Sequence, residues 1–222
     1  MNVMNQSRST VAGASAGHRP KRGRPTVEQV NSIDRSIVDT ARFMFIADGF
    51  DAVGMKQVAE RAKVSKGTLY ARYASKEALF TAVIERSIED WSRESGQNDA
   101  LLTDDIEQRL RHHAATIATS LARPDVLAVQ RLVLSLKDRF PGLAEVMRSK
   151  GYDYIVGLIV RDLRDASARD GRTLRDPVAV ARLLVAGITG AQMQEGPGTD
   201  EETLRDYGQR VVDLILCGRD AW

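Results

Sequence analysis

From residue 33 onward apolar residues return every three or four positions, the period of one helix face, while strict two-residue alternation is scarce. Ile37, Ala41, Met44 and Phe45 share a face of a helix predicted from Ile33 to Asp48, with Gly49 as its stop. Two short helices follow. One covers 55–62 and turns Met55, Val58, Ala59 and Ala62 inward; the other covers 65–72 and starts at Ser65, whose hydroxyl suits an N-cap. A longer helix begins at a second N-cap, Ser75, and carries Leu79, Val83, Ile84, Ile88 and Trp91 as far as Gly96. The remaining helices are predicted over Asp104–Ala122, Asp125–Arg139, Pro141–Arg169 with a break near Gly151, Pro177–Gln194 and Asp200–Leu216. Pro124, Pro141 and Pro177 stand at helix starts, where a missing N–H costs least. Leu132, Leu134 and Leu136 alternate as in a strand, but the wider set Val129, Leu132, Val133, Leu136 and Phe140 fits a helix better. The expected fold class is all-α.

Composition narrows the function classes. The 222 residues are 43% apolar and 28% charged, within the globular range. Apolar runs such as Leu183–Ile188 fall far short of the roughly 18 to 20 residues that cross a bilayer, so no membrane segment is expected. The N-terminus lacks the basic start and apolar stretch of a secretory signal, which points to the cytoplasm. One cysteine, Cys217, permits no internal disulfide and no thiolate zinc cluster. The net charge of +2 hides an asymmetry: residues 1–76 hold 13 Lys/Arg against 6 Asp/Glu, and residues 77–222 hold 19 against 24. A basic first third on a mildly acidic body suits a chain whose N-terminal end meets a polyanion. Residues 1–29 are expected to form a disordered basic arm, since 1–25 contain five basic and no acidic residues and no apolar periodicity.

Between Gly49 and Lys76 two short helices flank a Lys63-Val64 turn, a helix-turn-helix. The second helix is narrow at its start, with Gly67 and Thr68 there, and basic beside it, with Lys66 and Arg72; Val64, Leu69 and Tyr73 are placed to anchor it. Such an end fits the roughly 12 Å major groove, where Thr68 meets a base edge and Lys66, Arg72 and the upstream Lys56 donate to bases or phosphates. Lys76, in the first turn of the next helix, is placed to hold a phosphate.

Residues 33–80 closely resemble the DNA-binding domain of TetR-type transcriptional regulators, through Ala41, Phe45, Gly49-Phe50, Val58-Ala59, Ala62, Val64-Ser65-Lys66-Gly67-Thr68-Leu69-Tyr70, Tyr73 and Ser75-Lys76-Glu77-Ala78-Leu79. The resemblance implies that Lys66, Gly67, Thr68 and Arg72 are recognition-helix positions, Lys56 a base-contacting one, and Tyr70 and Lys76 phosphate-contacting ones. With Ser65 and Tyr73, and with Arg22 and Arg24 of the arm, these make the expected DNA-binding set. Three positions depart from the family pattern: Gly54 in place of a Ser or Thr cap, Lys63 in place of a turn Gly, and Tyr73 in place of Phe. The arm's Arg19-Pro-Lys-Arg-Gly-Arg-Pro25 is similar to AT-hook segments, whose arginines enter a narrow minor groove.

Elsewhere the signals are weaker. Gly13-Ala-Ser-Ala-Gly17 matches a nucleophile elbow but lacks the strand and helix flanks, so no catalytic set is expected. His112 and His113 point about 100° apart on a helix and cannot chelate one metal; they are expected on the surface or lining a pocket. No glycine-rich phosphate loop follows a strand, so no cofactor is expected. The helix with Val178, Ala181, Leu184, Val185, Ile188, Ala191 and Gln192 is apolar nearly all round, and Leu204, Tyr207, Val211, Leu214 and Ile215 supply a second stripe. The resemblance implies that these two helices pair across a two-fold axis in a homodimer. Val129-Gln-Arg-Leu-Val-Leu with Arg139-Phe-Pro-Gly-Leu is similar to the C-terminal region of the TetR subgroup named for AefR. The expected organisation is an arm (1–29), a helix-turn-helix domain (30–90) and a helical effector-binding and dimerisation domain (91–222). The expected function is a regulator, most readily a repressor released from an operator in double-stranded DNA by a small hydrophobic effector. The alternative is an all-α small-molecule-binding or interaction protein with a vestigial helix-turn-helix.

Overall fold

Helix α1 (Val27–Asp48) starts six residues before the apolar pattern predicts. Its first turns are polar and carry no stripe, yet Thr26 caps them: Gln29 N–H donates to Thr26 Oγ1 at 3.3 Å and Thr26 N–H to Gln29 Oε1 at 3.0 Å, a reciprocal capping box. The computed structural model describes residues 26–95, 104–171, 173–196 and 198–219, and all its regular elements there are helices. The arm with Arg22 and Arg24, its AT-hook-like stretch, the Gly13–Gly17 match and the Gly96 stop lie outside the described residues.

Helices α2 (Met55–Arg61) and α3 (Lys66–Arg72) form the predicted pair. Gly54 caps α2 without a side chain, and its N–H donates to Gln57 Oε1 at 2.7 Å. The turn between α2 and α3 places Lys63 at φ 55°, the conformation usually left to glycine. A left-handed L-residue costs roughly 1–2 kcal/mol, against which glycine adds some unfolded-state entropy. Lys63→Gly is therefore expected to stabilise the protein by about 0.5–1 kcal/mol, read as a higher urea midpoint with unchanged slope.

Helix α4 (Lys76–Ser95) is capped as expected, with Ala78 N–H donating to Ser75 Oγ at 3.1 Å. Its Phe80 joins Phe45, Phe50 and Phe140 in an aromatic cluster with centroids 5.2 to 5.6 Å apart. The first core gathers the inward faces of α1 to α4 and takes in Val129, Val133, Leu136 and Leu143 from α6 (Pro124–Leu136) and α7 (Pro141–Val146). The predicted break near Gly151 is a wide π-helical stretch, Met147–Tyr152, which joins α7 to α8 (Asp153–Asp170) without interrupting the rod. A second core packs α5 (Ile106–Ala122), α8, α9 (Pro177–Glu195) and α10 (Glu201–Cys217). Gly208 makes that packing close. A Cβ there would sit 3.3 Å from both Ala114 Cβ and Ile188 Cδ1.

Candidate nucleic-acid interface and ligand cavity

The start of α3 is bound to its own cap. Thr68 N–H donates to Ser65 Oγ at 3.0 Å, and the two hydroxyls share a 2.8 Å hydrogen bond. Leu69 is completely buried under the helix, while Lys66, Gly67, Tyr70 and, from α2, Lys56 face solvent and Thr68 is half-buried. Lys56 makes only a loose exposed pair with Glu60 at 3.6 Å. This leaves a narrow edge with two ammonium groups and a phenol.

Three residues of the expected set have other work. Tyr73 donates its hydroxyl to Asp34 Oδ1 of α1 at 2.8 Å, and burial, followed by that bond and Asp34's charge, raises its phenol well above the ordinary value. Arg72 also faces Asp34, at 3.6 Å. Tyr73 thus anchors α3 to α1, and Arg72 is held at the flank. Lys76 is the most heavily engaged. Its Nζ donates to the carbonyls of Phe50 (2.8 Å), Val53 (3.0 Å) and Asp51 (3.3 Å) and lies 4.5 Å from the Phe50 ring centroid. An ammonium has three N–H donors, and all three are committed to the α1–α2 loop. In this structure the side chain is a clamp that fixes where α2 begins.

The second candidate is a cavity of about 380 Å³ between α4, α5, α6, α8 and α9, within the usual size for a small-molecule site. Its wall includes Trp91, His112, His113, Gln130, Tyr152 and Tyr154, so both histidines line a pocket, one of the two places expected for them. His113 is buried, and its Nε2 lies 2.9 Å from Asp162 Oδ2. Burial alone would raise the Asp162 carboxyl; the hydrogen bond and charge of His113, with Arg109 at 3.3 Å, outweigh it and hold it below the ordinary carboxylate value. Sequence reading missed Asp162, because a partner 49 residues away leaves no local spacing to detect.

Residues 37–83 match the family model for bacterial regulatory proteins of the tetR family. That stretch is a tetR-family DNA-binding domain. Over 69 residues it is 42% identical to the HTH-type transcriptional activator FasR of Mycolicibacterium smegmatis, covering 31% of each chain. Over 111 residues it is 29% identical to the HTH-type transcriptional repressor ComR of Escherichia coli, covering 50% of each. The chain thus spans about a third of FasR and half of ComR. A putative TetR-family transcriptional regulator from Mesorhizobium loti superposes with TM-score 0.76 at 22% identity, over 85% of this chain and 97% of that one, which extends the TetR-like fold through the C-terminal helices.

One set of contacts joins the TetR-type domain to the cavity wall. Asp125 Oδ2, at the start of α6, accepts from Arg42 of α1 at 2.6 Å and from Trp91 Nε1 at 3.2 Å, and Arg123 adds bonds at 3.1 and 3.2 Å. Burial would raise the Asp125 carboxyl, but the bonds from Arg123 and Trp91 and the charges of Arg123 and Arg42 bring it down to about 2. Among the described residues no helix is long and apolar enough to cross a membrane.

Proposed function

We propose that this chain is a sequence-specific DNA-binding regulator of transcription that works as a homodimer, and that it represses until a small hydrophobic effector in the α4–α9 cavity releases it. The carrying observation is the start of α3: a glycine and a short hydroxyl at its tip, exposed Lys66 and Tyr70 beside it, and a fully buried Leu69 fixing its height. A helix end so shaped enters the major groove, and the flanking cations meet phosphates. FasR is named an activator and ComR a repressor, so the sign of regulation here rests on the proposed release mechanism. The domain limits proposed are residues 30–90 for DNA and 91–222 for effector and partner, with the basic arm, including Arg22 and Arg24, adding affinity.

The dimer reading is supported by a bare face. Leu183 (59% exposed) and Met193 (74%) lie on one stripe of α9 with Ala186 and Gly190, and Tyr207 and Leu214 (74%) lie exposed on α10. One recognition helix reads too few bases, whereas two held about 34–36 Å apart read successive turns. Leu214→Asp is expected to raise the dimer dissociation constant at least about tenfold in sedimentation equilibrium.

Selecting bound duplexes from a random pool, then measuring affinity against salt, tests the reading. Lys66→Ala is expected to weaken the selected operator about fivefold and lower the salt slope by about 1. Binding indifferent to both base order and salt would favour instead a small-molecule-binding protein with a vestigial helix-turn-helix. Effector binding would reach α1 through Trp91, Asp125 and Arg42. To take a dimer from 99% to 1% competent, the effector must prefer the incompetent state about 10⁴-fold.

A further inference from the structure

We infer that the cavity takes an uncharged aromatic molecule bearing a hydroxyl group, and that this hydroxyl donates its hydrogen to Nδ1 of His113. The inference deepens the effector reading above and rests on it.

Charge comes first. Among the described lining residues Arg148 alone carries a permanent charge; it is exposed and its guanidinium is bonded by Glu145 and Asp153. Among the described lining residues there is no Lys and no second Arg to receive a carboxylate or phosphate, and no Asp or Glu to receive an amine. A buried ion without such a partner loses more hydration than an apolar wall returns. Shape comes second. Trp91, Tyr152 and Tyr154 with Leu121, Ile155 and Leu158 give a largely apolar, aromatic wall suited to a flat ring system.

The polar contact is set by His113. The Asp162 carboxylate can only accept, so His113 turns an Nε2–H toward it, and in the neutral imidazole this leaves Nδ1 as a lone-pair acceptor. Nδ1 meets no hydrogen-bond partner among the described residues, and no buried side-chain nitrogen or oxygen there is both sealed and unpaired. His113 is 7% exposed and lines the cavity, so the accessible nitrogen opens into it. A buried acceptor selects for a ligand that supplies a donor and against the same skeleton without one.

The test titrates the full chain with biphenyl, 4-phenylphenol and biphenyl-4-carboxylate, following tryptophan fluorescence, to which Trp91 in the wall contributes. On the unaltered protein 4-phenylphenol is expected to bind at least about tenfold tighter than either of the others. In His113→Phe the preference over biphenyl should vanish while biphenyl still binds. Equal binding of biphenyl and 4-phenylphenol, or tightest binding of the carboxylate, overturns the hydroxyl assignment and leaves the cavity reading standing. Silence of all three probes overturns the cavity reading itself. Should His113→Phe fail to fold by circular dichroism, the order of the three probes on the unaltered chain decides alone.

Discussion

Asp162→Ala is expected to destabilise the protein by about 3 kcal/mol at neutral pH, the largest loss from any single substitution considered, seen as a melting point lower by roughly 6–12 °C. The carboxylate is 6% exposed and accepts from both buried His113 and Arg109, so its removal takes a shared acceptor away from two groups of the second core and leaves a cavity. Asp162→Asn keeps an acceptor oxygen and should cost only about 1 kcal/mol. A pH series carries the same information. Because the folded carboxyl titrates below its unfolded value, its contribution is complete above about pH 4 and is lost as pH falls through the folded value. The unaltered protein should therefore lose stability on acidification below about pH 4 more steeply than Asp162→Asn. Parallel acid limbs for the two proteins would show that the pair adds nothing.

Lys76→Met should cost about 2 kcal/mol and roughly 4–8 °C, because three carbonyls lose their donors while the stem still covers Phe50. The consequence for DNA is distinctive. Measured below its melting range, the variant should bind its operator with an unchanged slope of log affinity against log salt, since this ammonium neutralises no phosphate. A slope reduced by about 1 with unchanged stability would restore Lys76 to the phosphate-contacting set.

What could be read from the sequence was local. Ser65 and Ser75 announce their helices because a cap works within three residues, and both accept the expected N–H. Leu69 is legible as an anchor because it falls on the buried side of a two-turn helix. The start of α1 was legible only through Thr26 and Gln29, a capping pair that the apolar pattern does not register. Lys63 shows how a family turn survives an unfavourable residue: the conformation is kept and the residue is strained into it. The anchoring role of Tyr73 was legible but its partner Asp34 was not, and the contacts of Lys76 and Asp162 could not be read at all, because the partners are brought in by the fold, 39, 23 to 26 and 49 residues away. A lysine in the first turn of a helix looks the same whether it points at DNA or back at a loop.

Asp34 receives both Tyr73 and Arg72, so the far end of α3 is fastened to α1, just as Leu69 fastens its middle. The helix that would read bases therefore has little freedom to tilt alone. On the proposed release mechanism, a message arriving at Arg42 would swing α1, α2 and α3 as a single block, and the switch would be one of spacing between two intact readers. Operators with altered spacing between their half-sites should then compensate for the ligand, where altered bases within a half-site should not.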